Sequence, residues 1–500
     1  MSDRKPRNYF NELTPEQKEA RRNLEKMATD ANRNKEIAEA VRIFEDPRLL
    51  ENWNGNGDGD GDGDEKKPAP IVETITEDIL NRYRFITIEE SKEILVYDNG
   101  VYTQGGEVVI EKTAESLYGY KVANRYLAEI KGHVMRKTYR KREELDSDIN
   151  IINLKNGLYN IETGEFKEHN PDYLSITQKP VLYDLTKKPK LFGRYLQQVL
   201  YATEIRTAVE LMAYTLYRDN PFEIIAKLFG YGANGKSVLT GLLTALHGSK
   251  NVSNVPLSSM LKNRFALSDL ENKYVNVDTE LSSTTIHDTT VLKKLTGRQP
   301  VRIERKNQRA YDTTLYAKLV FSANKIPETE DESDAYFRRE IIISFPNRFE
   351  GDNQDTSLLK KLTTEEELSG IFNVLVKALK TVLRNERISV NEKTIEQRRE
   401  RHQLAVNPVQ YFLGDAVDPE STESDGTFKE ALYDAYIRFC NRHNLAVESK
   451  ENLSRILKNR YRFQDDRESS GERRRFWKGV KLAVKYEIPD LQQTFDDVLY

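Results

Sequence analysis

Ile224-Ile225-Ala226-Lys227-Leu228-Phe229-Gly230-Tyr231-Gly232-Ala233-Asn234-Gly235-Lys236-Ser237-Val238-Leu239 is the stretch on which the reading of this chain turns. An apolar run, a glycine-rich loop and apolar residues at helical spacing follow one another, which predicts strand, loop and helix. The glycines let successive backbone N–H groups curl around an anion, and the helix start adds its positive dipole end. In such a loop Lys236 reaches the outer phosphates and the Ser237 hydroxyl supplies a magnesium ligand. Gly230, Gly232, Ala233, Asn234, Gly235, Lys236, Ser237 and Val238 are therefore the expected nucleotide contacts, with ATP and Mg2+ as the cofactors.

A nucleotide site that hydrolyses also needs carboxylates facing the loop. The next buried-strand pattern, Tyr274-Val275-Asn276-Val277, runs straight into Asp278-Thr279-Glu280. Asp278 is the expected metal-side acid and Glu280 the general base, with Thr279 between two residues that are usually adjacent. A third strand, Leu315 to Ser322, ends at Asn324, whose amide suits sensing of a terminal phosphate or positioning of water. Arg338 and Arg339 then precede the β-branched run Ile341-Ile342-Ile343. A permanently charged fork at a subunit boundary can neutralise the phosphates of a neighbour's nucleotide.

Composition sets the outer bounds. The chain has 500 residues, 38% of them apolar and 31% charged, enough to bury real cores, and its net charge of −3 makes no global field. Any contact with nucleic acid is thus local. A single cysteine, Cys440, and six histidines exclude a disulfide framework and a Cys/His zinc cluster. No run approaches membrane-spanning length and the charged N-terminus lacks a secretory core, so the expected setting is intracellular, without a membrane.

The ends differ from the centre. Residues 1–50 read as a helical appendage opening on the capping pattern Thr14-Pro15-Glu16-Gln17, and 51–70 as a linker rich in glycine and aspartate. Within that linker Asn54 to Glu65 also meets calcium-loop spacing with Gly59 at the turn, although Pro68 and Pro70 spoil the exit helix. Residues 71–190 form a mixed accessory and oligomerisation region: a helical stripe of Ala123, Tyr126, Leu127, Ile130 and Val134, then strands about Thr163-Gly164. The ATPase segment is 191–385, a polar linker 386–404, and a winged-helix-like domain 405–500. In the last, Thr427 to Cys440 and Ser449 to Leu457 read as helices. Residues 455–485 carry eleven basic and four acidic side chains, a local +7. Arg473, Arg474, Arg475 and Lys478 are the expected backbone contacts there, while Phe476 and Trp477 are read first as core.

Phosphate loop, strand-end acids, Asn324 and Arg339, in this order, resemble a superfamily III helicase. More closely, the chain resembles viral and plasmid primase-helicases with a poxvirus-primase-type accessory region, through Asn153-Leu154-Lys155-Asn156-Gly157-Leu158-Tyr159 and His169 to Gln178. The stretch Leu292 to Lys306 is similar to the family's channel hairpin, which implies that Lys306, with Arg302 and Arg305, grips DNA. The resemblance implies an α/β, AAA+-like P-loop ATPase. It would assemble as a homo-oligomer, a hexamer that travels 3′ to 5′ on single-stranded and forked DNA, alongside a primase or polymerase, in host-cell cytoplasm. By the same resemblance Arg339 is the arginine finger, with Arg338 in reserve. Residues 1–150 are too short for a primase domain, so primer synthesis is not expected. Two other functions fit parts of the pattern: a DNA-binding initiator or loader whose ATPase only switches assembly, and a small-molecule kinase with the same loop.

Overall fold

A computed structural model describes residues 70–119, 122–306, 309–468 and 473–487. The expected appendage at 1–50, the linker at 51–70 and its calcium-loop spacing lie outside the described residues, Pro70 excepted. The described chain divides into two units. In the first are helix α1 (Pro70–Arg82), strands β1 (Phe85–Ile88) and β2 (Ile94–Asp98), helices α2 (Gly106–Tyr118) and α3 (Asn124–Thr138), and β3 (Tyr139–Arg140). Ile75 and Ile79, Ile110 and Ala114, and Ile130 and Val134 are pairs four residues apart, and together they close this small core. Tyr126 and Leu127 of the expected stripe pack at its margin.

The second unit takes in residues 97–103, which include the end of β2, and then the chain from Lys141. Strands β4 (Ile151–Leu154), β5 (Gly157–Asn160) and β6 (Phe166–Lys167) form an antiparallel sheet. The stretch expected as one accessory region is therefore shared between two units. Helices α4 (Phe192–Val199) and α5 (Ala202–Tyr214) follow, then β7 (Ile225–Phe229) and α6 (Lys236–His247). Next are β8 (Val252–Ser253), β9 (Val275–Asp278), α7 (Thr290–Thr296), and the antiparallel pair β10 (Val301–Ile303) and β11 (Tyr311–Thr313). Strands β12 (Lys318–Ala323) and β13 (Glu340–Ser344) and the long helix α8 (Glu365–Asn385) complete the central layer.

Strands β13, β7, β12, β9 and β8 lie in that order in one parallel sheet. Both faces are covered, as all-parallel sheets require. Alternate residues serve different cores: Ala226, Leu228, Val320, Ile341 and Ile343 face one, while Ile225, Phe229, Leu319, Phe321 and Ile342 face the other. The second core runs on without a break into Phe412, Tyr436 and Trp477 of the C-terminal segment.

The expected linker at 386–404 is corrected by the structure, because Ile395–Val406 is a helix, α9. Its start is fixed by a capping box between Thr394 and Gln397, which reads as polar sequence but closes a helix N-terminus. Two inward polar side chains then dock it. Arg401 bonds Glu204 at 2.9 Å and the Ser344 hydroxyl at 2.9 Å, and His402 Nδ1 bonds Glu340 at 2.9 Å. Beyond it lie α10 (Pro408–Ala416), β14 (Gly426–Phe428), α11 (Lys429–Arg442), α12 (Lys450–Tyr461), β15 (Asp465–Arg467) and β16 (Arg475–Lys478). The last three strands form an antiparallel sheet in the order β14, β16, β15.

Glu340 also holds Lys227 of β7 at 2.5 Å, with both side chains at most 2% exposed. Removing one member of a buried pair strands the other charge. Lys227→Ala is expected to lower stability by about 3–5 kcal/mol, read as a shifted midpoint in chemical denaturation. A loss under about 1 kcal/mol, the range of an exposed pair, would show that the pair does not secure the sheet.

Candidate nucleotide site

Strand β7 ends at Phe229, and the loop 230–235 carries the chain into α6. Gly235 has φ 93°, in the left-handed region, and a Cβ there would lie 2.7 Å from Val199 Cγ1. Only glycine meets both conditions. Around it, Tyr195 of α4 donates its hydroxyl to the Gly235 carbonyl at 2.9 Å, and Phe349 N–H donates to the Ala233 carbonyl at 2.7 Å. The loop is thereby held from two sides.

Lys236 lies at the first position of α6 and is buried. Its Nζ donates to the Gly230 carbonyl, to Asn234 Oδ1 at 3.1 Å and to Asn324 Oδ1 at 3.2 Å. Burial lowers its pKa to about 8. The Asn234 Nδ2, also buried, has no hydrogen-bond partner among the described residues. A buried amide donor without an acceptor, beside a desolvated ammonium, fits a group that brings anionic oxygens. Ser237 follows on the exposed side of the helix start. These residues would hold the phosphates of ATP.

Register explains why Asn324 arrives here. Ala323 of β12 pairs with Phe229 of β7, so the residue after each strand leaves the sheet beside the other. Asp278 closes β9, one strand further out, in register with Phe321. Two strand spacings place it roughly 10 Å from β7. Its carboxylate accepts from Leu257 N–H at 3.0 Å and from Glu280 N–H at 3.2 Å, which fixes its orientation. Glu280 is exposed just past the strand, where Leu281 N–H bonds the Ser322 carbonyl at 2.8 Å. Lys236, Asn324, Asp278 and Glu280 thus share the carboxyl rim of the sheet. No group of three or more His, Cys, Asp or Glu residues suited to a metal occurs among the described residues. A magnesium ion here would rest on Ser237, Asp278 and phosphate oxygens, the sparse ligation that ion accepts.

The arginines lie at the other rim. Glu340, the first residue of β13, pairs with Ile225 at the start of β7, and the Arg339 carbonyl accepts from Ile225 N–H at 2.7 Å. Arg339 is inward and anchored: its side chain is 7% exposed and bonds Glu223 at 2.5 Å, Thr296 Oγ1 at 3.2 Å and the Ala335 carbonyl. Arg338 shares the same Glu223 carboxylate at 2.5 Å with its side chain 51% exposed. Glu223 carries no motif, and Thr296, although inside the stretch Leu292 to Lys306, was given no role by sequence; only the tertiary arrangement brings both to Arg339.

The hairpin expected from Leu292 to Lys306 takes the form of α7 followed by β10 and β11. Arg302 and Lys306 are exposed on it. Arg305 instead bonds the buried Glu271 at 2.5 Å, alongside Tyr311 and Arg142, so it anchors the hairpin's base. In the C-terminal segment Trp477 is core, whereas Arg473 and Arg475 are exposed. Arg474 lies over the Phe428 ring at 4.0 Å and pairs with Glu468, and Lys478 pairs with Asp466 at 2.7 Å.

Two family models match parts of the chain: residues 80–200 match "D5 N terminal like", and residues 228–339 match a family of unknown function, DUF5906. The second match spans the glycine-rich loop to Arg339. The chain is 23% identical over 238 residues to "Putative helicase 184R" of Invertebrate iridescent virus 6. That alignment covers 43% of this chain and 24% of the relative, so the chain matches about a quarter of that protein's length. Among solved structures it is similar to the A form apo structure of the NrS-1 C terminal region at 12% identity and a TM-score of 0.44, covering 83% of this chain and 99% of the other. A second apo structure of that region gives 13% identity, a TM-score of 0.41, and coverage of 84% and 100%.

The depressed pKa of Lys236 sets a pH dependence. Near pH 9 much of the free site carries a neutral amine, and anionic phosphate favours the charged form, so binding takes up a proton. Affinity for an ATP analogue is expected to hold below pH 8 and then fall, approaching about tenfold per pH unit. Calorimetry in two buffers of different ionisation enthalpy checks it. Equal proton counts at pH 7 and pH 9 would exclude Lys236 as the titrating contact.

Proposed function

We propose that this chain is the ATP-hydrolysing motor of a viral- or plasmid-type replication helicase, working as a ring on DNA. One observation carries the reading: Lys236 and the arginine pair occupy opposite ends of one parallel sheet. Between Ile225 and Phe229 the strand advances roughly 13 Å, so the arginines stand a strand's length from their own loop. An arginine on that rim meets a phosphate when a second copy presents its loop, the head-to-tail contact that closes into rings. The relative named as a helicase, and the match to a D5-type N-terminal model, support the replicative setting.

Within this reading Lys236 neutralises the outer phosphates, and the N–H groups of 232–237 surround them. Ser237 and Asp278 hold magnesium, which when bound neutralises charge on the phosphate oxygens. Glu280 takes the proton of the attacking water, and Asn324 orients that water from beside Lys236. Of the two arginines, the more exposed Arg338, its side chain held by Glu223 alone among the described residues, exchanges that partner for a phosphate, while the buried Arg339, to which the resemblance points, stays anchored. Lys306 and Arg302 of the hairpin grip the DNA backbone, and the exposed Arg473 and Arg475 add phosphate contacts near α12. A hexamer, 3′ to 5′ travel and a partner primase or polymerase follow the family resemblance. No helix among the described residues is long and apolar enough to cross a membrane.

Subunit mixing tests the shared site. Lys236→Ala and Arg338→Ala are each expected to lose about 10²-fold or more in ATP turnover. Mixed equally, they regain intact pockets at roughly a quarter of random interfaces, so turnover recovers. Absence of recovery would place the whole site within one copy. On a forked duplex, Lys306→Ala is expected to cut unwinding at least about tenfold; full unwinding by that variant would remove the hairpin from the mechanism.

A further inference from the structure

We propose that helix α7 is a lever joining the arginine rim to the DNA hairpin, with Glu223, Thr296 and Asp331 as its positioning residues. The inference rests on the reading of Arg338 and Arg339 as the pair that completes a neighbour's nucleotide site. Its basis is a continuous set of tethers between the segment that carries the arginines and the helix that leads into the hairpin. Ile286 N–H bonds the Glu328 carbonyl at 2.9 Å, and Glu330 N–H bonds the Ile286 carbonyl at 3.1 Å. Next along, Asp331 accepts from Thr289 Oγ1, at the cap of α7, and from Lys293 Nζ at 2.8 Å. Last, the Arg339 Nε donates to Thr296 Oγ1 at 3.2 Å.

Positions 289, 293 and 296 are four and three residues apart, so they form one stripe of the helix. The whole of that stripe is bound to the arginine-bearing segment. Five residues beyond Thr296 the chain enters β10, the first strand of the hairpin. A displacement of the arginine segment therefore moves α7 as a body, and with it the base of the hairpin.

Glu223 supplies the two-state element. Its two carboxylate oxygens are divided between the arginines, Oε1 to Arg339 and Oε2 to Arg338. When Arg338 turns to a neighbour's phosphate, Oε2 is freed and Arg339 keeps Oε1. Thr296 is 3% exposed and already donates its hydroxyl to the Leu292 carbonyl at 2.8 Å, so its oxygen is an oriented acceptor for Arg339. The nucleotide interface and the DNA hairpin thus share one carboxylate and one hydroxyl. Coupling of this kind is reciprocal: DNA on the hairpin changes how readily Arg338 leaves Glu223.

The test measures ATP turnover by the full chain with and without oligo(dT), together with DNA affinity by fluorescence anisotropy. Thr296→Val removes the acceptor but touches no nucleotide contact. It is expected to keep DNA-free turnover within about twofold and DNA affinity unchanged, while the stimulation by DNA falls about fivefold or more. Thr296→Ser restores the acceptor and is expected to restore stimulation, which a merely structural role for the methyl group would not predict. Glu223→Gln weakens the hold on Arg338 and is expected to raise DNA-free turnover while shrinking the response to DNA, a readout that stands if Thr296→Val fails to fold. Wild-type stimulation in both Thr296→Val and Glu223→Gln overturns the lever and leaves the proposed function standing. Absence of ATP turnover in the wild type overturns the proposed function, and the lever with it.

Discussion

The pairing of β12 with β7 is the constraint on which the rest depends. Because Ala323 lies opposite Phe229, both chains leave the sheet at one level, and Asn324 reaches the ammonium of Lys236. A shift of one residue in that register would turn Val320 from one core to the other and carry the amide off the rim. The apolar alternation along β7, β12 and β13 therefore fixes the chemistry as well as the packing. The polar rim is a consequence of which methyl groups are buried beneath it.

Charges inside the fold bind the C-terminal segment to the sheet. Lys227, Glu340 and His402 form one buried cluster, and Glu204, Arg401 and Ser344 a second beside it. The carboxyl of Glu340, although desolvated, is held well below the usual range by the adjacent Lys227 and His402. Such clusters add little net stability relative to an apolar core, but they penalise any arrangement that separates their members. Here they make α9 a docked helix, so that the C-terminal segment shares the core beneath the glycine-rich loop.

The basic side chains divide in the same way. Arg305, Arg339 and Lys478 are bonded to nearby carboxylates, whereas Arg302, Lys306, Arg473 and Arg475 stand exposed. A charge engaged with a carboxylate aims an element, and an exposed one can meet a phosphate from outside. Counting basic residues along the sequence merges the two roles. Fold geometry separates them.

Short-range chemistry was readable from the residues alone. The apolar run into glycine, lysine and serine dictated strand, loop and helix, because glycine conformation, helix polarity and apolar spacing act within a few residues. The helices near Tyr433 and Leu457 followed from periodicity in the same way, whereas the hairpin after Leu292 was expected from the family resemblance alone. What required the folded chain was every contact between distant residues. Glu223 is more than one hundred positions from the arginines it holds, and Thr296 more than forty from Arg339. The polar stretch containing Thr394 read as a linker since its partners, Glu204 and Glu340, lie far along the chain. Sequence determined the glycine-rich loop and the strand ends, and tertiary structure decided which arginine is pinned, since burial and ion pairing are set by residues that local pattern cannot bring together.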